Sequence, residues 1–90
     1  MNARLKKLAF RASHRGMKEL DLVIGGFAKA HLESLTEHEV DEFERILELQ
    51  DPDLFTWLID REEVPKEHNS EIMVRLKAFS LTPADYKHLS

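Results

Sequence analysis

Residues 36–47 read TEHEVDEFERIL, and they combine a helix start with a helical repeat of apolar positions. Thr36 and Glu39 have the spacing of a capping box, in which each side chain bonds the backbone amide of the other residue. The apolar residues that follow recur every three or four positions: Val40, Phe43, Ile46 and Leu47. The stretch therefore predicts an amphipathic helix that begins at Thr36 and buries one face.

Two more helices are predicted before this stretch. The first has an apolar stripe made of Leu5, Leu8, Ala9 and Ala12. We expect Gly16 to end it, because glycine is common just after a helix C-terminus. The second runs from Met17 to about Ser34. Its Gly25-Gly26 pair either lets another helix come close or is simply tolerated at a cost in helix propensity.

Two more helices are predicted after it. We expect Asp51 to cap a short helix that has Pro52 at its first helical position, where the missing amide proton is not needed. A polar loop follows, and Asn69 or Ser70 then caps a fifth helix that ends near Phe79.

These patterns predict an all-α fold, a compact five-helix bundle that forms a single domain over residues 1–80. Residues 81–90 are expected to be a C-terminal tail of at most one or two helical turns. No stretch alternates with the period of two that a half-buried strand requires. Short connections between the amphipathic segments favour antiparallel neighbours.

Composition limits the function. The 90 residues are 42% hydrophobic and 33% charged and include no cysteine, so disulfides and cysteine-ligated zinc are excluded. The longest apolar run, residues 22–28, is far shorter than the ~20 residues that span a bilayer. A chain of this length has little room for a substrate-enclosing cleft. A binding or helper role is therefore favoured over an enzyme.

Charge is distributed unevenly. Residues 1–18 hold six basic residues and no acid, whereas residues 33–63 hold twelve acids and two basic residues. The basic start allows a second interpretation as a mitochondrial transit peptide, which shares this acid-poor pattern. Because no secretory hydrophobic segment follows Met1, and because the first helix needs its apolar stripe for the core, we expect a bacterial cytoplasmic location.

Catalytic and metal sites receive little support. The five histidines form no i, i+4 pair that could aim two imidazoles at one metal ion, and His31 is expected to be a partly buried core residue. Ser13 and His14 are adjacent on a helix and point in different directions, so they do not form a nucleophile and its base. We expect neither a metal site nor catalysis by the chain itself.

A cluster of charges around one glycine is the candidate site. Arg15 offers a planar fork of N–H donors, and Gly16 lets a foreign backbone approach closely. Arg15 and Glu19 could also pair at i, i+4, which contributes only about 0.3 to 0.5 kcal/mol. Arg11 and Asp21 flank the cluster. It is either a surface that binds a partner or the solvated start of a helix.

The same residues carry a resemblance. The run RGMKELD over residues 15–21 resembles the Arg-Gly-x-x-Glu signature of the SdhE-type family, the FAD assembly factors of succinate dehydrogenase. The run FAKAHL over residues 27–32 resembles the end of that family's second helix. The run DPDLFTWL over residues 51–58 resembles its Asp-Pro-Asp-Leu-x-x-Trp-Leu block. The three blocks are in register over about residues 4–80, and the tail after Leu81 matches nothing in the family.

The resemblance implies a five-helix helper protein that binds the flavoprotein subunit of succinate dehydrogenase and promotes covalent attachment of FAD to a histidine of that subunit. Fumarate reductase flavoproteins can be clients too. The essential contact would be made by Arg15, Gly16 and Glu19, with Arg11 and Asp21 beside them. FAD would be handled on the client and not bound stably by the helper itself. We expect no nucleic-acid or membrane partner.

Two points stay open. Many relatives have tyrosine where this chain has Phe10, so a hydrogen bond through that hydroxyl is not assumed. A second group of residues is either structural or in contact with the partner: Asp51, Pro52, Asp53 and Trp57. The alternative function is a small antitoxin-like or nucleic-acid-interacting protein that uses the basic first helix, and the acidic remainder of the chain argues against it.

Overall fold

A computed structural model describes residues 2–80, and this part of the chain folds as five α-helices without any strand. The helices are α1 (Ala3–Ser13), α2 (Lys18–His31), α3 (Glu37–Leu47), α4 (Asp51–Leu58) and α5 (Glu71–Phe79). Short 3-10 turns at Leu32–Ser34 and Lys66–His68 lie before α3 and α5. The prediction of an all-α five-helix bundle is confirmed. The predicted tail, residues 81–90, lies outside the described residues.

Side-chain caps define the starts of three helices. The Thr36 hydroxyl accepts from the Glu39 amide at 3.2 Å, and the Glu39 carboxylate accepts from the Thr36 amide at 2.9 Å. This is the predicted capping box. Ser70 caps α5 by accepting from the amide of Met73, as one of the two predicted candidates. Asn2 caps α1 in the same way.

Helix α2 lies at the centre of the bundle, where it packs against α1, α4 and α5. Helix α3 packs against α5 and also contacts α1. The largest fully buried side chains come from α2 to α5 and the turn after α2: Leu20, Ile24, Phe27, Leu32, Phe43, Leu54, Leu58, Ile72, Met73 and Leu76. One continuous apolar core therefore holds all the helices in place.

The glycine pair in α2 permits close packing. A Cβ atom on Gly25 would lie 2.6 Å from the Ser13 Oγ and 3.1 Å from the Ser13 Cα, which is backbone that cannot move aside easily. A Cβ on Gly26 would lie 3.3 Å from the Phe79 ring. The interpretation as a site of close helix approach is confirmed. Helix α1 is thereby held tightly along α2.

Three local predictions are refined. Helix α1 ends at Ser13, and Gly16 lies in the turn that follows, with a φ of +101°. The prediction that Asp51 is the N-cap of α4 is wrong: Gln50 occupies that position without a side-chain bond, and Asp51 is the first helical residue. Its carboxylate faces a different partner, described below. The polar loop before α5 contains one buried residue, Val64, and a 3-10 turn.

His31 is partly buried, as predicted. Its ring lies 5.0 Å from the Phe27 ring and 6.0 Å from the Phe79 ring, measured between centroids. It is therefore part of an aromatic cluster between α2 and α5.

Candidate functional site

Arg15 attaches the turn between α1 and α2 to the C-terminal end of α3. The guanidinium donates from Nη1 to the carbonyl oxygen of Leu47 at 2.7 Å and from Nη2 to that of Leu49 at 2.6 Å. Its Nε donates to Asp51 Oδ1 at 2.8 Å. Only 9% of the Arg15 side chain is exposed. One arginine thus joins three elements: the α1–α2 turn, the end of α3 and the start of α4.

The position of this guanidinium has an electrostatic reason. The last carbonyl groups of a helix have no partner within the helix, and they form the negative end of its dipole. A cation that donates hydrogen bonds to these carbonyl oxygens satisfies them and neutralises that end. Asp51 adds a carboxylate, which is itself favoured at the N-terminus of α4. The arrangement lets α3 and α4 follow one another with only Glu48–Gln50 between them.

Gly16 and Asp21 shape the other side of the turn. The Asp21 carboxylate accepts from the backbone amide of Arg15 at 2.7 Å, so it holds the turn against the first part of α2. Gly16 is exposed, and a Cβ built on it would have no neighbour within 4 Å. Because L-residues rarely adopt a φ of +101°, glycine is favoured here by the backbone and not by lack of space.

Glu19 and Arg11 complete the predicted cluster. Glu19 is exposed in the first turn of α2. The suggested pairing of Arg15 with Glu19 is wrong, because α2 begins only at Lys18 and the Arg15 side chain turns to Asp51 instead. The Arg11 guanidinium is 43% exposed and lies 3.9 Å from the Glu44 carboxylate of α3. The predicted residues lie around the α1–α2 turn, which we call the corner, but the ion-pair partner suggested for Arg15 was wrong.

A shallow depression of about 550 Å³ opens at this corner. Its lining comes from the end of α1, the turn after it, and the α3–α4 connection: Arg11, His14, Arg15, Leu49, Gln50, Asp51 and Pro52. Arg15 forms part of its wall and Gly16 adjoins it in sequence. A partner could reach this surface without any rearrangement of the helices.

The Asp-Pro-Asp-Leu block divides between the depression and the core. Asp51 and Pro52 line the depression, and Asp53 is exposed in the same helical turn. Trp57 is buried, and its ring stacks on His68 with the centroids 5.5 Å apart. Trp57 therefore belongs to the core, while Asp51 contributes to the corner by pairing with Arg15.

The basic first helix lies beside acids of its own chain. Arg4 Nη2 donates to Asp41 at 2.7 Å and to Glu44 at 2.8 Å. The hydrogen bond from Arg4 holds the pKa of Asp41 below its ordinary value, and the positive charge of Arg4 acts in the same direction. The charge asymmetry seen in the sequence is thus partly neutralised where α1 meets α3.

A second depression, of about 510 Å³, lies between α3 and the segment that leads into α5. Its lining includes Glu42, Glu48 and Glu67 together with Arg45. It contains none of the residues predicted for partner binding. Between residues 2 and 80, no group of three or more histidine, aspartate or glutamate side chains is arranged to hold a metal ion. None of the helices in this part of the chain is both long and apolar enough to cross a membrane.

Two features of the corner were not found by sequence reasoning. The first is the Arg15–Asp51 pair, whose members are 36 positions apart, so no local spacing relates them. The second is a stack of the Phe10 ring on the His14 ring, with centroids 3.9 Å apart and planes 13° apart. The i, i+4 spacing of these two rings on α1 was the available signal for the stack.

Comparisons with known proteins identify the family of this chain. A family model described as "Flavinator of succinate dehydrogenase" (Sdh5) matches residues 6–80. A protein of Acetobacter pasteurianus named "FAD assembly factor SdhE" is 42% identical over 74 residues, which cover 82% of this chain and 68% of the relative. A protein of Yersinia pseudotuberculosis with the same name is 43% identical over 65 residues, 72% of this chain and 73% of the relative.

Mitochondrial proteins also match. "Succinate dehydrogenase assembly factor 2, mitochondrial" of Dictyostelium discoideum is 38% identical over 68 residues, 76% of this chain but 48% of the relative. The chain therefore spans about half the length of this mitochondrial relative. The family match includes α2 to α5, α1 from residue 6 onward, and the corner around Arg15. On these grounds the chain belongs to the Sdh5 family, the SdhE-type group that its Arg-Gly-x-x-Glu run resembles.

Proposed function

We propose that this protein is an assembly factor that binds the flavoprotein subunit of succinate dehydrogenase and promotes covalent attachment of FAD to a histidine of that subunit. Membership of the family over residues 6–80 supports this role. The observation that carries it is the corner itself. There Gly16 is exposed beside an open depression, while Arg15 is fixed from behind by backbone carbonyls and a carboxylate.

The proposed mechanism is positioning and not catalysis by this chain. Linking a flavin to histidine needs a polarised ring system and an imidazole within attack distance, and both belong to the client. The corner would hold client segments in that reactive arrangement, and the free energy of binding would offset the entropic cost of orienting them. Arg15 maintains the shape of the corner, and the surface that meets the client includes Gly16, Arg11 and Glu19.

We place FAD on the client and not on this chain. Phosphate groups are usually bound by glycine-rich turns whose amides converge at a helix N-terminus. Gly16 stands alone in its turn, and the amide of Arg15 just before it is already bonded to Asp21. The depression is shallow, and the Arg15 guanidinium in its wall is already bonded to Asp51. Stable binding of FAD by the protein alone is therefore not expected.

We also propose a bacterial cytoplasmic location, with the fumarate reductase flavoprotein as a second client. Binding to nucleic acid is disfavoured by the pairing of α1 with α3. Arg4 is bonded to Asp41 and Glu44, and Arg11 lies next to Glu44. Phosphate contacts would have to compete with these acids.

In-gel flavin fluorescence tests this function. Purified apo-flavoprotein subunit of succinate dehydrogenase is incubated with FAD, with and without this protein, and then separated by denaturing electrophoresis. Because only covalently attached flavin survives denaturation, the fluorescent band should increase several-fold when the protein is present. A parallel reaction with the fumarate reductase flavoprotein tests the second client. Equal fluorescence with and without the protein, over a titration to excess, would contradict the proposal.

A further inference from the structure

Phe10 is one of two large apolar residues that are exposed within residues 2–80. Its side chain is 63% exposed, whereas the other phenylalanines described in the structure are buried or partly buried. The ring is also held in one orientation, because it stacks on His14 and the His14 Nδ1 lies 2.8 Å from the Phe10 carbonyl oxygen. A preoriented, exposed aromatic ring loses little conformational entropy when a partner covers it.

The ring pair continues the candidate site. His14 lines the depression together with Arg11 and Arg15. Phe10 stacks on His14 and therefore extends the same surface from the depression onto the outward face of α1. Leu8 and Ala12, on the opposite face of α1, are buried. The exposed ring is thus on the side that a partner seated at the corner would meet.

The charges around the ring indicate what kind of partner fits. Lys6 and Lys7 precede Phe10 by four and three positions, so they lie one turn away on the same face, and both are exposed. No acid occurs in residues 1–18. A partner that covers Phe10 with an apolar group would therefore bind more tightly if it also placed carboxylates opposite the two lysines.

A folded protein face fits better than nucleic acid. Asp41 and Glu44 are 49% and 38% exposed, and they lie against α1 through Arg4. An extended polyanion along α1 would pass close to these carboxylates and be repelled. A protein surface with one apolar side chain and a few acids can instead contact the ring and the lysines alone, away from Asp41 and Glu44.

We propose that the Phe10–His14 ring pair, with Lys6 and Lys7 beside it, is a contact surface for an apolar side chain flanked by carboxylates on the flavoprotein subunit. The inference rests on the proposed function and adds a second contact to the corner at Gly16. Aromatic residues that become fully covered commonly contribute a large share of binding energy. Phe10 is accordingly assigned a binding role and no part in the stability of the bundle.

Binding of the purified chain to the flavoprotein subunit, measured by isothermal titration calorimetry, tests this surface. Phe10→Ala should raise Kd by about tenfold or more. Val74→Ala is the matched control, because Val74 is 51% exposed on α5 and lines neither depression, and it should leave Kd within about twofold. Phe10→Tyr, which keeps the ring, should remain within about threefold of the parent. The thermal midpoint of all three variants should match that of the parent.

The lysines are tested by salt and charge reversal. The Lys6→Glu, Lys7→Glu double variant should weaken binding, and its Kd should depend less on ionic strength than that of the parent. Equal Kd for Phe10→Ala and Val74→Ala, with the parent binding normally, would overturn the ring-pair surface and leave the proposed function intact. Failure of the parent itself to bind the subunit would overturn both. Binding of the parent to duplex DNA that is weakened by Phe10→Ala would assign the surface to nucleic acid and overturn this inference.

Discussion

Two corners of this molecule are built around a partly buried arginine, and they differ in a way that separates structure from function. At the first, Arg15 donates to the carbonyls of Leu47 and Leu49. At the second, Arg61 donates to the carbonyls of Leu58 and Lys77, the latter at 3.1 Å, and to the Ser80 hydroxyl. Each arginine therefore satisfies carbonyl groups near helix C-termini.

The backbone and the charges differ between the two corners. Arg61 itself has a φ of 65°, which lies within the small left-handed region that L-residues can adopt. The first corner places a glycine beside its arginine, at a φ of +101° that other residues rarely adopt. Within residues 2–80, only the first arginine has a carboxylate partner, Asp51, and borders one of the two depressions described above. In both corners an arginine joins helices by bonding to carbonyl groups. The glycine and the Asp51 pair of the first corner add an accessible surface.

The largest difference between the corners is expected in stability. Arg15→Ala leaves the Asp51 carboxylate and two carbonyls without their partner, which should lower the free energy of unfolding by about 3 kcal/mol. Arg61→Ala removes hydrogen bonds but no carboxylate partner within residues 2–80, so we expect a loss of about 1.5 kcal/mol. Urea denaturation of both variants measures the two values.

Arg15→Lys provides the control for charge without the planar fork. One ammonium group cannot reproduce three bonds in a plane, so the free energy of unfolding of this variant should fall between those of the parent and Arg15→Ala. Equal losses for Arg15→Ala and Arg61→Ala would show that the Asp51 pair adds nothing, and the two corners would then be equivalent.

An intermediate effect is expected at Gly16. Alanine at this position meets open space, so its cost is backbone strain alone, about 1 to 2 kcal/mol. Asparagine adopts left-handed conformations more readily and should cost less. Thermal unfolding of Gly16→Ala and Gly16→Asn tests this order. If alanine were neutral, the argument that φ at this turn requires glycine would be wrong.

The smallest effect is expected for a third arginine, Arg4, which pairs with exposed carboxylates. The pKa of Asp41 is lowered from 3.8 by the hydrogen bond from Arg4, so the pair stabilises the folded state when Asp41 is ionised in both states. That contribution is present above pH 3.8 and is lost as the pH falls through the lower pKa of the folded state. The difference in thermal midpoint between the parent and Asp41→Asn should therefore be small at neutral pH and vanish in acid. A difference that grew as the pH fell would contradict this sign.

The helices could be predicted from the sequence because their signals are local. The capping box at Thr36 and the cap at Ser70 are formed by residues three positions apart. Periodic apolar residues then identified the faces that α1 to α5 bury. The prediction of Asp51 as an N-cap was wrong because the deciding contact is not local. Arg15, which is distant in sequence, competes for the same carboxylate, and the capping propensity of one position cannot show this.

The candidate site was located by its residue types but not by its geometry. Arg15, Gly16 and Asp21 do form one corner, as the charge cluster indicated. The sequence suggested a guanidinium that offers its donors to a partner, whereas three donor atoms are bonded within the chain. Such bonds depend on how α3 ends and α4 begins in space. Exposure of Phe10 likewise depends on the packing of α1, which periodicity alone left undecided.

The central claim is that the Arg15–Gly16 corner is needed for client flavinylation beyond its role in folding. Covalent flavin on the succinate dehydrogenase flavoprotein should be compared for Gly16→Arg and Arg61→Ala, at a temperature where denaturation curves show both variants folded. We predict that Arg61→Ala supports flavinylation like the parent, whereas Gly16→Arg supports little or none. Equal flavinylation by the two variants, whether both high or both lost, would contradict it.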